Sequence, residues 1–220
     1  QLEQGDFPTG LRDLATTRDD VMQALVTTYA EWIRRTDVDG FRLDAAPHVS
    51  HADWARFCTG LRAEAAKLGK PAFLLLGEVF RGSPSDLASY TQPGEFDAVF
   101  DFTFKFDAID RYLLEGGSPR YARSALEGAR SAYPDAAQAG GIGVPPFAAR
   151  VTFADNHDMA RLRGRLDDER AAAVALTMLF TVDGVPAVYY GTEQGFSGTG
   201  GHGSRERLWD SGFDQDALED

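Results

Sequence analysis

A short apolar run meets a charged pair in the stretch Asp39-Gly40-Phe41-Arg42-Leu43-Asp44-Ala45-Ala46-Pro47-His48, the most informative part of this 220-residue chain. Side chains alternate across a β-strand, so Arg42 and Asp44 are expected on one side and Phe41 and Leu43 on the other. A permanent cation beside a carboxylate lowers the pKa of that carboxylate. The pattern therefore predicts a strand that ends in an ionised Asp44, the state that a nucleophile requires.

Two further acidic residues also stand at the ends of apolar runs. Glu78 closes the run Ala72-Phe73-Leu74-Leu75-Leu76-Gly77, and Asp158 closes a run that begins at Val151. The interval between Asp44 and Glu78 suits one βαβ unit, which needs roughly 30 or more residues. Strand-like runs alternate with helix-like ones along the whole chain, and this alternation predicts a parallel sheet with crossover helices.

The apolar periodicity and the turn residues place the individual elements. A first helix is predicted to be capped by Asp19 or Asp20, and a polar loop is predicted around residues 82–93. The other predicted helices cover about residues 51–68, 119–132 and 168–181, and the predicted strands cover residues 41–44, 72–77, 96–102, 150–154 and 186–190.

Together, four segments of the chain resemble signature regions of the α-amylase family of glycoside hydrolases. They are GFRLDAAPH (40–48), LLGEV (75–79), FADNHD (153–158) and GVPAVYYGTE (184–193). The resemblance implies an α/β fold that forms the C-terminal part of a (β/α)₈ TIM barrel, with the early strands and the C-terminal β-domain missing from this chain. It also implies two parts: residues 1–18 as the tail of an inserted loop domain, and residues 19–220 as the partial catalytic barrel.

The resemblance implies a role for each candidate site residue. Asp44 would be the catalytic nucleophile, Glu78 the general acid/base and Asp158 the transition-state stabiliser, and Arg42, His157 and His48 would bind substrate. A retaining glycosidase holds its two reacting carboxyl groups about 5–5.5 Å apart, and we expect about this separation between Asp44 and Glu78. Burial after an apolar strand and repulsion from other anions should raise the pKa of Glu78, as a proton donor requires.

Other polar residues in these segments are predicted to be structural. Asp97, Asp101 and Asp155 stand within strand-like runs and are expected to be structural and not catalytic. Arg161 and Glu193 are expected to form structural ion pairs.

Composition narrows the class of partner and cofactor. The formal net charge of −12 argues against a nucleic-acid partner and fits a neutral α-glucan or maltooligosaccharide substrate. The proposed chemistry requires no cofactor; the resemblance leaves open a structural calcium in the full-length protein, with the His48 backbone carbonyl as one ligand. No run is long and apolar enough for a membrane span and the N-terminus lacks a signal-peptide pattern, which leaves cytoplasmic and secreted locations open.

One departure from the family pattern bears on the substrate. Many amylases carry a lysine immediately before the histidine of the first segment, where this chain has Pro47. The absence of this lysine leaves open an enzyme that acts on short maltooligosaccharides or on trehalose-like glucosides. Alternatives within the family are a transglycosylase or a glucoside isomerase. Alternatives outside this chemistry are a metal-dependent barrel lyase, which Arg42 beside the first acid disfavours, and a non-catalytic amylase-like domain, which the presence of all three acids disfavours.

Overall fold

The computed structural model describes residues 13–166 and 169–212, which contain five short strands, six α-helices, one π-helix and four short 3₁₀-helices. The α-helices are α1 (Asp19–Thr36), α2 (His51–Lys67), α3 (Pro84–Ser89), α4 (Arg120–Ala132), α5 (Pro146–Ala149) and α6 (Glu169–Thr181). The strands are β1 (Gly40–Leu43), β2 (Leu74–Gly77), β3 (Ala98–Val99), β4 (Val151–Phe153) and β5 (Val185–Ala187), and the π-helix is Phe104–Leu114. These residues form two compact units, one within residues 1–100 and 129–150 and the other within 101–128 and 151–220.

The first unit is built on a three-stranded parallel sheet in the order β1-β2-β3. Phe41 of β1 packs edge-on against Tyr29 of α1 at 5.2 Å and against Phe73 at 5.5 Å between ring centroids. Tyr29 contacts Phe57 of α2 in the same way at 5.2 Å. This aromatic cluster joins α1 and α2 to one side of β1, which leaves the side that carries Arg42 for other contacts.

A buried carboxylate fastens the segment before β3 to β2. Asp97 is fully buried and forms an ion pair of 2.9 Å with the buried Arg62 of α2. Its two oxygens also accept hydrogen bonds from the backbone nitrogens of Leu75, at 2.8 Å, and Ile142, at 3.2 Å. A buried charge is tolerated where it is paired and hydrogen-bonded, so Asp97 is structural, as predicted.

The second unit pairs β4 with β5 in parallel and packs them with the π-helix and α6. Phe102 meets Phe153 of β4 edge-on at 5.1 Å between ring centroids. The core of this unit consists of buried side chains from the π-helix, α4, the loop after β4 and α6: Phe104, Ala108, Ile109, Ala122, Ala154, Leu162, Ala175 and Leu179.

The observed elements correct several predicted boundaries. Neither Asp19 nor Asp20 caps α1: Arg18 is the N-cap residue and its side chain makes no capping bond. Both aspartates lie in the first turn, where a negative charge favours the positive end of the helix dipole. The predicted polar loop contains α3, which Ser83 caps by accepting a hydrogen bond from the Asp86 backbone nitrogen at 3.4 Å.

The predicted strand at 96–102 is reduced to the two residues of β3. Asp101 accepts a hydrogen bond from the backbone nitrogen of Phe104 at 2.9 Å, and this contact helps to turn the chain into the π-helix, which was not predicted. Among the described residues, no helix is long and apolar enough to cross a membrane.

Candidate active site

The end of β1 carries the first candidate pair. Leu43 is buried and Phe41 is partly buried on the helix side, whereas Arg42 and Asp44 are the exposed residues of the alternating pattern. The Arg42 guanidinium donates to a carboxylate oxygen of Asp44, so the two side chains share one side as predicted. The local strand period alone is sufficient to bring this cation and this carboxylate together.

Glu78 emerges beside Asp44 because β1 and β2 are paired in parallel and in register. The backbone nitrogen of Glu78 donates to the carbonyl of Leu43 at 2.8 Å, which extends the strand ladder to the acidic residue itself. In return, the backbone nitrogen of Ala45 donates to Oε2 of Glu78 at 3.2 Å. Ala45 has a φ of 47°, in the left-handed region, and this turn lets its backbone nitrogen bond the glutamate.

Arg42 bridges the two acids. Its Nη1 contacts Asp44, and its Nη2 lies 2.8 Å from Oε1 of Glu78. The two carboxylates differ in exposure, because 71% of the Asp44 side chain is accessible to solvent and only 12% of the Glu78 side chain is. One guanidinium thus holds an exposed and a sheltered carboxylate at the ends of adjacent strands.

The environment raises the pKa of Glu78 above its ordinary value. Burial is the main cause, and the negative charge of Asp44 together with a hydrogen bond between the two carboxyl groups acts in the same direction. The backbone nitrogen of Ala45 and the charge of Arg42 oppose the increase. The direction and both predicted causes are confirmed.

His48 lies in a short 3₁₀-helix, Ala46–His48, that follows Asp44. The buried Trp54 fixes this turn by donating from Nε1 to the carbonyl of Ala46 at 2.8 Å, and Pro47 is buried within the turn. His48 also lines a cavity of about 530 Å³ together with Tyr29 and Leu43. Within residues 13–166 and 169–212, no group of three or more His, Cys, Asp or Glu side chains is arranged to hold a metal. The roles of His48 in sugar and calcium binding stay predictions.

The second unit contains the other predicted site residues, at the end of β4. Asp155 turns inward: it is buried and accepts hydrogen bonds from the Leu162 backbone nitrogen at 2.8 Å and from Thr192 Oγ1 at 2.9 Å. Burial raises the pKa of this carboxyl group. Asp158, in contrast, is exposed, with 48% of its side chain accessible. The structure thus separates a structural aspartate from one that is available to a ligand.

His157 and Asp158 form one hydrogen-bonded group with a residue distant in the sequence. His157 Nε2 lies 3.0 Å from Oδ2 of Asp158, and Arg205 Nη2 lies 2.9 Å from Oδ1 of the same carboxylate. Arg205 Nε also donates to the carbonyl of His157 at 3.1 Å, and Ser204 Oγ donates to it at 3.2 Å. No spacing rule in the sequence links Arg205 to Asp158, which lies 47 residues earlier in the chain.

Arg161 forms a predicted structural ion pair, and its partner is Glu206, at 3.0 Å from Nε to Oε2. Its guanidinium also lies over the ring of Tyr189 at 4.0 Å from the centroid. The Tyr189 ring is in turn 6.4 Å from the ring of His157. The neighbourhood of Asp158 therefore combines cations, an imidazole and an aromatic ring.

The structure brings the predicted residues together in two groups. Arg42, Asp44 and Glu78 form the group of the first unit, and His157 and Asp158 form the group of the second. The first group is a sheltered carboxyl group, an exposed carboxylate and a bridging cation. These are the components that acid-assisted nucleophilic displacement needs.

The family model for the α-amylase catalytic domain matches residues 5–220. The chain belongs to the α-amylase family. An α-amylase of Streptomyces lividans is 35% identical over 90% of the chain, and a cyclomaltodextrinase of a Bacillus species is 32% identical over 90%. The chain spans 21% and 32% of the lengths of these two relatives, so it corresponds to a minor part of each.

Solved structures confirm the predicted fold class. An α-amylase of Malbranchea cinnamomea superposes on 94% of the chain with a TM-score of 0.79 at 27% identity, and the match covers 39% of that structure. An α-amylase of Geobacillus thermoleovorans, solved with acarbose, superposes on 93% with a TM-score of 0.78 at 28% identity, covering 43%. The helices and parallel strands described above are thus part of an α-amylase catalytic barrel.

Proposed function

We propose that the protein containing this chain is a retaining α-glucoside hydrolase that acts on α-glucans or maltooligosaccharides through a covalent β-glucosyl-enzyme intermediate. One observation carries the proposal: Arg42 bridges an exposed carboxylate, Asp44, and a sheltered one, Glu78, whose pKa is raised. Two carboxyl groups in unlike environments take unlike roles, one as anion and one as acid.

In the first step, Asp44 attacks the anomeric carbon while Glu78 gives its proton to the departing glycosidic oxygen. The bond between the anomeric carbon and that oxygen breaks, and an ester bond to Asp44 forms. Arg42 orients Asp44, because its guanidinium donates to the carboxylate of that residue. In the transition state, the negative charge that remains on Asp44 stabilises the positive charge that develops on the sugar.

In the second step, Glu78 is a carboxylate and accepts a proton from an incoming water. The water oxygen bonds to the anomeric carbon, the ester bond to Asp44 breaks, and Glu78 returns to its protonated form. Asp158, with His157 beside it, would bind sugar hydroxyls and stabilise the charge of both transition states. The net result is hydrolysis with retention of configuration.

The relatives support α-glucans as the substrate class. The Geobacillus thermoleovorans enzyme was solved with acarbose, and the Bacillus relative is named a cyclomaltodextrinase. A chain with a net charge of −12 also suits a neutral sugar, which needs no electrostatic attraction. A structural calcium in the whole protein belongs to this proposal only as an option, since the proposed steps use the side chains alone.

Glucosyl transfer is the nearest alternative, because a sugar hydroxyl can replace water in the second step. A cyclomaltodextrin glucanotransferase superposes on 87% of the chain with a TM-score of 0.70 at 26% identity. The residues of the first step are the same for both outcomes. Product analysis at high and low maltooligosaccharide concentration separates them, since transfer gives products longer than the substrate.

The assignment is tested by removing each carboxyl group in turn from the protein that carries this chain. Asp44→Asn should abolish turnover of maltooligosaccharides and of aryl α-glucosides alike, because no ester can form. Glu78→Gln should lose maltooligosaccharide hydrolysis, by a factor of ~10²–10⁴ for a general acid, yet still react with an aryl glucoside whose leaving group needs no proton. The first measurement is the burst of phenol released by the variant. The second is its turnover of the aryl glucoside with and without azide, which azide should increase.

Glu64→Gln is the matched control, since Glu64 is a partly exposed glutamate of α2 that pairs with Lys67 at 2.6 Å. It should keep the parent kcat/KM on both substrates. A Glu78→Gln variant that is equally inactive on both substrates, with neither burst nor azide rescue, would remove Glu78 from the role of acid/base.

A further inference from the structure

Arg161 is a buried cation that the proposed reaction steps do not use. Its side chain is 0% exposed. Its Nη1 donates to the carbonyl of Tyr190 at 2.5 Å, and its backbone nitrogen donates to the carbonyl of Gly198 at 2.8 Å. The guanidinium also lies over three rings, with centroid distances of 4.0 Å to Tyr189, 4.9 Å to Tyr190 and 5.4 Å to Phe196. A buried charge is retained only where such contacts offset its desolvation, so this arrangement fixes the segment around it.

Glu206 connects Arg161 to the rest of that segment. One carboxylate oxygen, Oε2, accepts from Arg161 Nε at 3.0 Å. The other, Oε1, accepts from the backbone nitrogens of Ser197, at 3.1 Å, and Gly198, at 2.9 Å. The Glu206 carbonyl accepts from the hydroxyl of Tyr190 at 2.8 Å. Both the side chain and the backbone of residue 206 are therefore held in place.

Arg205 precedes this fixed residue, and its guanidinium reaches the predicted catalytic group. It binds Oδ1 of Asp158 at 2.9 Å and the carbonyl of His157 at 3.1 Å. Arg205 itself is largely exposed, with 48% of its side chain accessible. A long exposed side chain loses rotamer entropy when it is held in one geometry, so its position depends on how firmly its backbone is fixed.

We propose that Arg161 is a positioning residue for Asp158: through Glu206 it fixes the backbone of Arg205, and Arg205 holds the Asp158 carboxylate in the orientation used in the transition state. This inference rests on the proposed function, since it assigns Asp158 a part in the reaction. Arg161 acts through two intermediate residues and has no contact with the sugar in this role. Small displacements of such a group are costly, because a shift of about 1 Å can lower a rate ~10²-fold.

A double-mutant cycle tests the proposal in the protein that carries this chain. Glu206→Gln keeps an acceptor for the two backbone nitrogens but removes the charge that pairs with Arg161. It should lower kcat and kcat/KM together by about tenfold and change KM by less than about twofold, because the loss is confined to the transition state. In an Arg205→Ala background the same substitution should have little further effect, since its route to Asp158 is already broken.

Asp110→Asn is the matched control. Asp110 is a partly buried carboxylate of the same unit that pairs with the buried Lys105 at 2.5 Å. This control should lower the melting temperature but leave kcat/KM per folded molecule unchanged. The proposal would be overturned if the losses of kcat/KM in Glu206→Gln and Arg205→Ala multiplied independently in the double mutant. It would also be overturned if the unfolded fraction alone explained the loss in Glu206→Gln.

A second measurement does not depend on turnover. The ¹⁵N chemical shifts of the His157 ring, assigned by comparison with His157→Gln, should change alike in Glu206→Gln and Arg205→Ala, because both release Asp158. If the parent hydrolyses no α-glucoside, the proposed function fails while these shifts still decide the positioning contact. Unchanged shifts in Glu206→Gln, in an active parent, would reject the positioning role alone.

Discussion

At the scale of single residues, the proposed chemistry depends on a difference between two neighbouring carboxyl groups. Asp44 is exposed to solvent and bound by Arg42. Glu78 is sheltered, and both its burial and the charge of Asp44 raise its pKa. Since the proposed mechanism needs protonated Glu78, kcat/KM should fall as the pH rises through the pKa of Glu78. An exposed glutamate has a pKa of about 4.3. Because the pKa of Glu78 is raised, the loss of activity should occur at a higher pH than it would with such a glutamate.

The contribution of Asp44 to this shift can be measured without turnover. Asp44→Asn removes the neighbouring negative charge and replaces a carboxyl partner with an amide donor, and both changes favour ionised Glu78. We therefore expect the pKa of Glu78 to be lower in Asp44→Asn than in the parent, as followed by ¹³C NMR of labelled glutamate carboxyls.

Asp86→Asn, at an exposed position in the first turn of α3, is the control that should leave this titration unchanged. If Asp44→Asn leaves the Glu78 titration where it was or moves it upward, then burial alone sets the pKa and the two carboxyls do not interact.

At the scale of elements, the strand end that carries Glu78 requires a glycine beside it. A Cβ added to Gly77 would lie 2.5 Å from Cδ2 of the buried Phe96, so any larger residue displaces either the ring or the strand. Asp97, the residue after Phe96, is the buried carboxylate that binds Arg62 and the backbone of Leu75. The position of Glu78 is therefore coupled to the packing of the β2–β3 pair.

We expect Gly77→Ala to destabilise the fold by ~1–3 kcal/mol, the usual cost of overpacking, and to lower kcat/KM of the folded fraction as Glu78 shifts. Thermal unfolding and active-site titration measure the two effects. Gly203→Ala is the control for stability, because a Cβ there meets only Thr199 Oγ1, at 3.9 Å. Equal melting temperatures for Gly77→Ala and the parent would show that Phe96 moves aside without cost.

The sequence predicted the long helices better than the strands, for a physical reason. In α1 and α2 the apolar residues recur over several turns and specify which face is buried. The strands have only two to four residues each, so their ends are set by side-chain contacts from other segments. Asp101 is the clearest example of such a contact. It accepts a hydrogen bond from the Phe104 backbone nitrogen at the start of the π-helix, which the sequence periodicity does not predict.

At the scale of the whole molecule, the candidate site depends on contacts of very different range. Arg42 and Asp44 are two residues apart, so the strand period predicts their contact. Glu78 comes beside them through parallel pairing, which the βαβ spacing also predicts. Arg205 reaches Asp158 from 47 residues along the chain, and only the folded backbone of the segment around Glu206 makes that contact. Local pattern therefore predicts the proposed reacting residues, but it does not predict the residues that hold them in place.

The preference for long or short substrates depends on how the whole molecule contacts sugar units beyond the bond that is cleaved. Pro47 stands where many family members have a lysine, and it is buried in the turn after Asp44. Loss of a hydrogen bond from a charged group costs ~1.5–3 kcal/mol, so binding should depend less on distant sugar units and short substrates should compete well with starch.

Pro47→Lys tests this reasoning, with Pro47→Met as the control for the loss of proline and the gain of a long side chain. A lysine can bury its stem and leave its ammonium in water, within reach of a sugar. We expect Pro47→Lys, and not Pro47→Met, to raise the ratio of kcat/KM on soluble starch to that on maltotriose, by up to about tenfold, or ~1.4 kcal/mol. A parent that already prefers starch strongly, with the same ratio in both variants, would mean that other loops set substrate length and that the residue at position 47 does not.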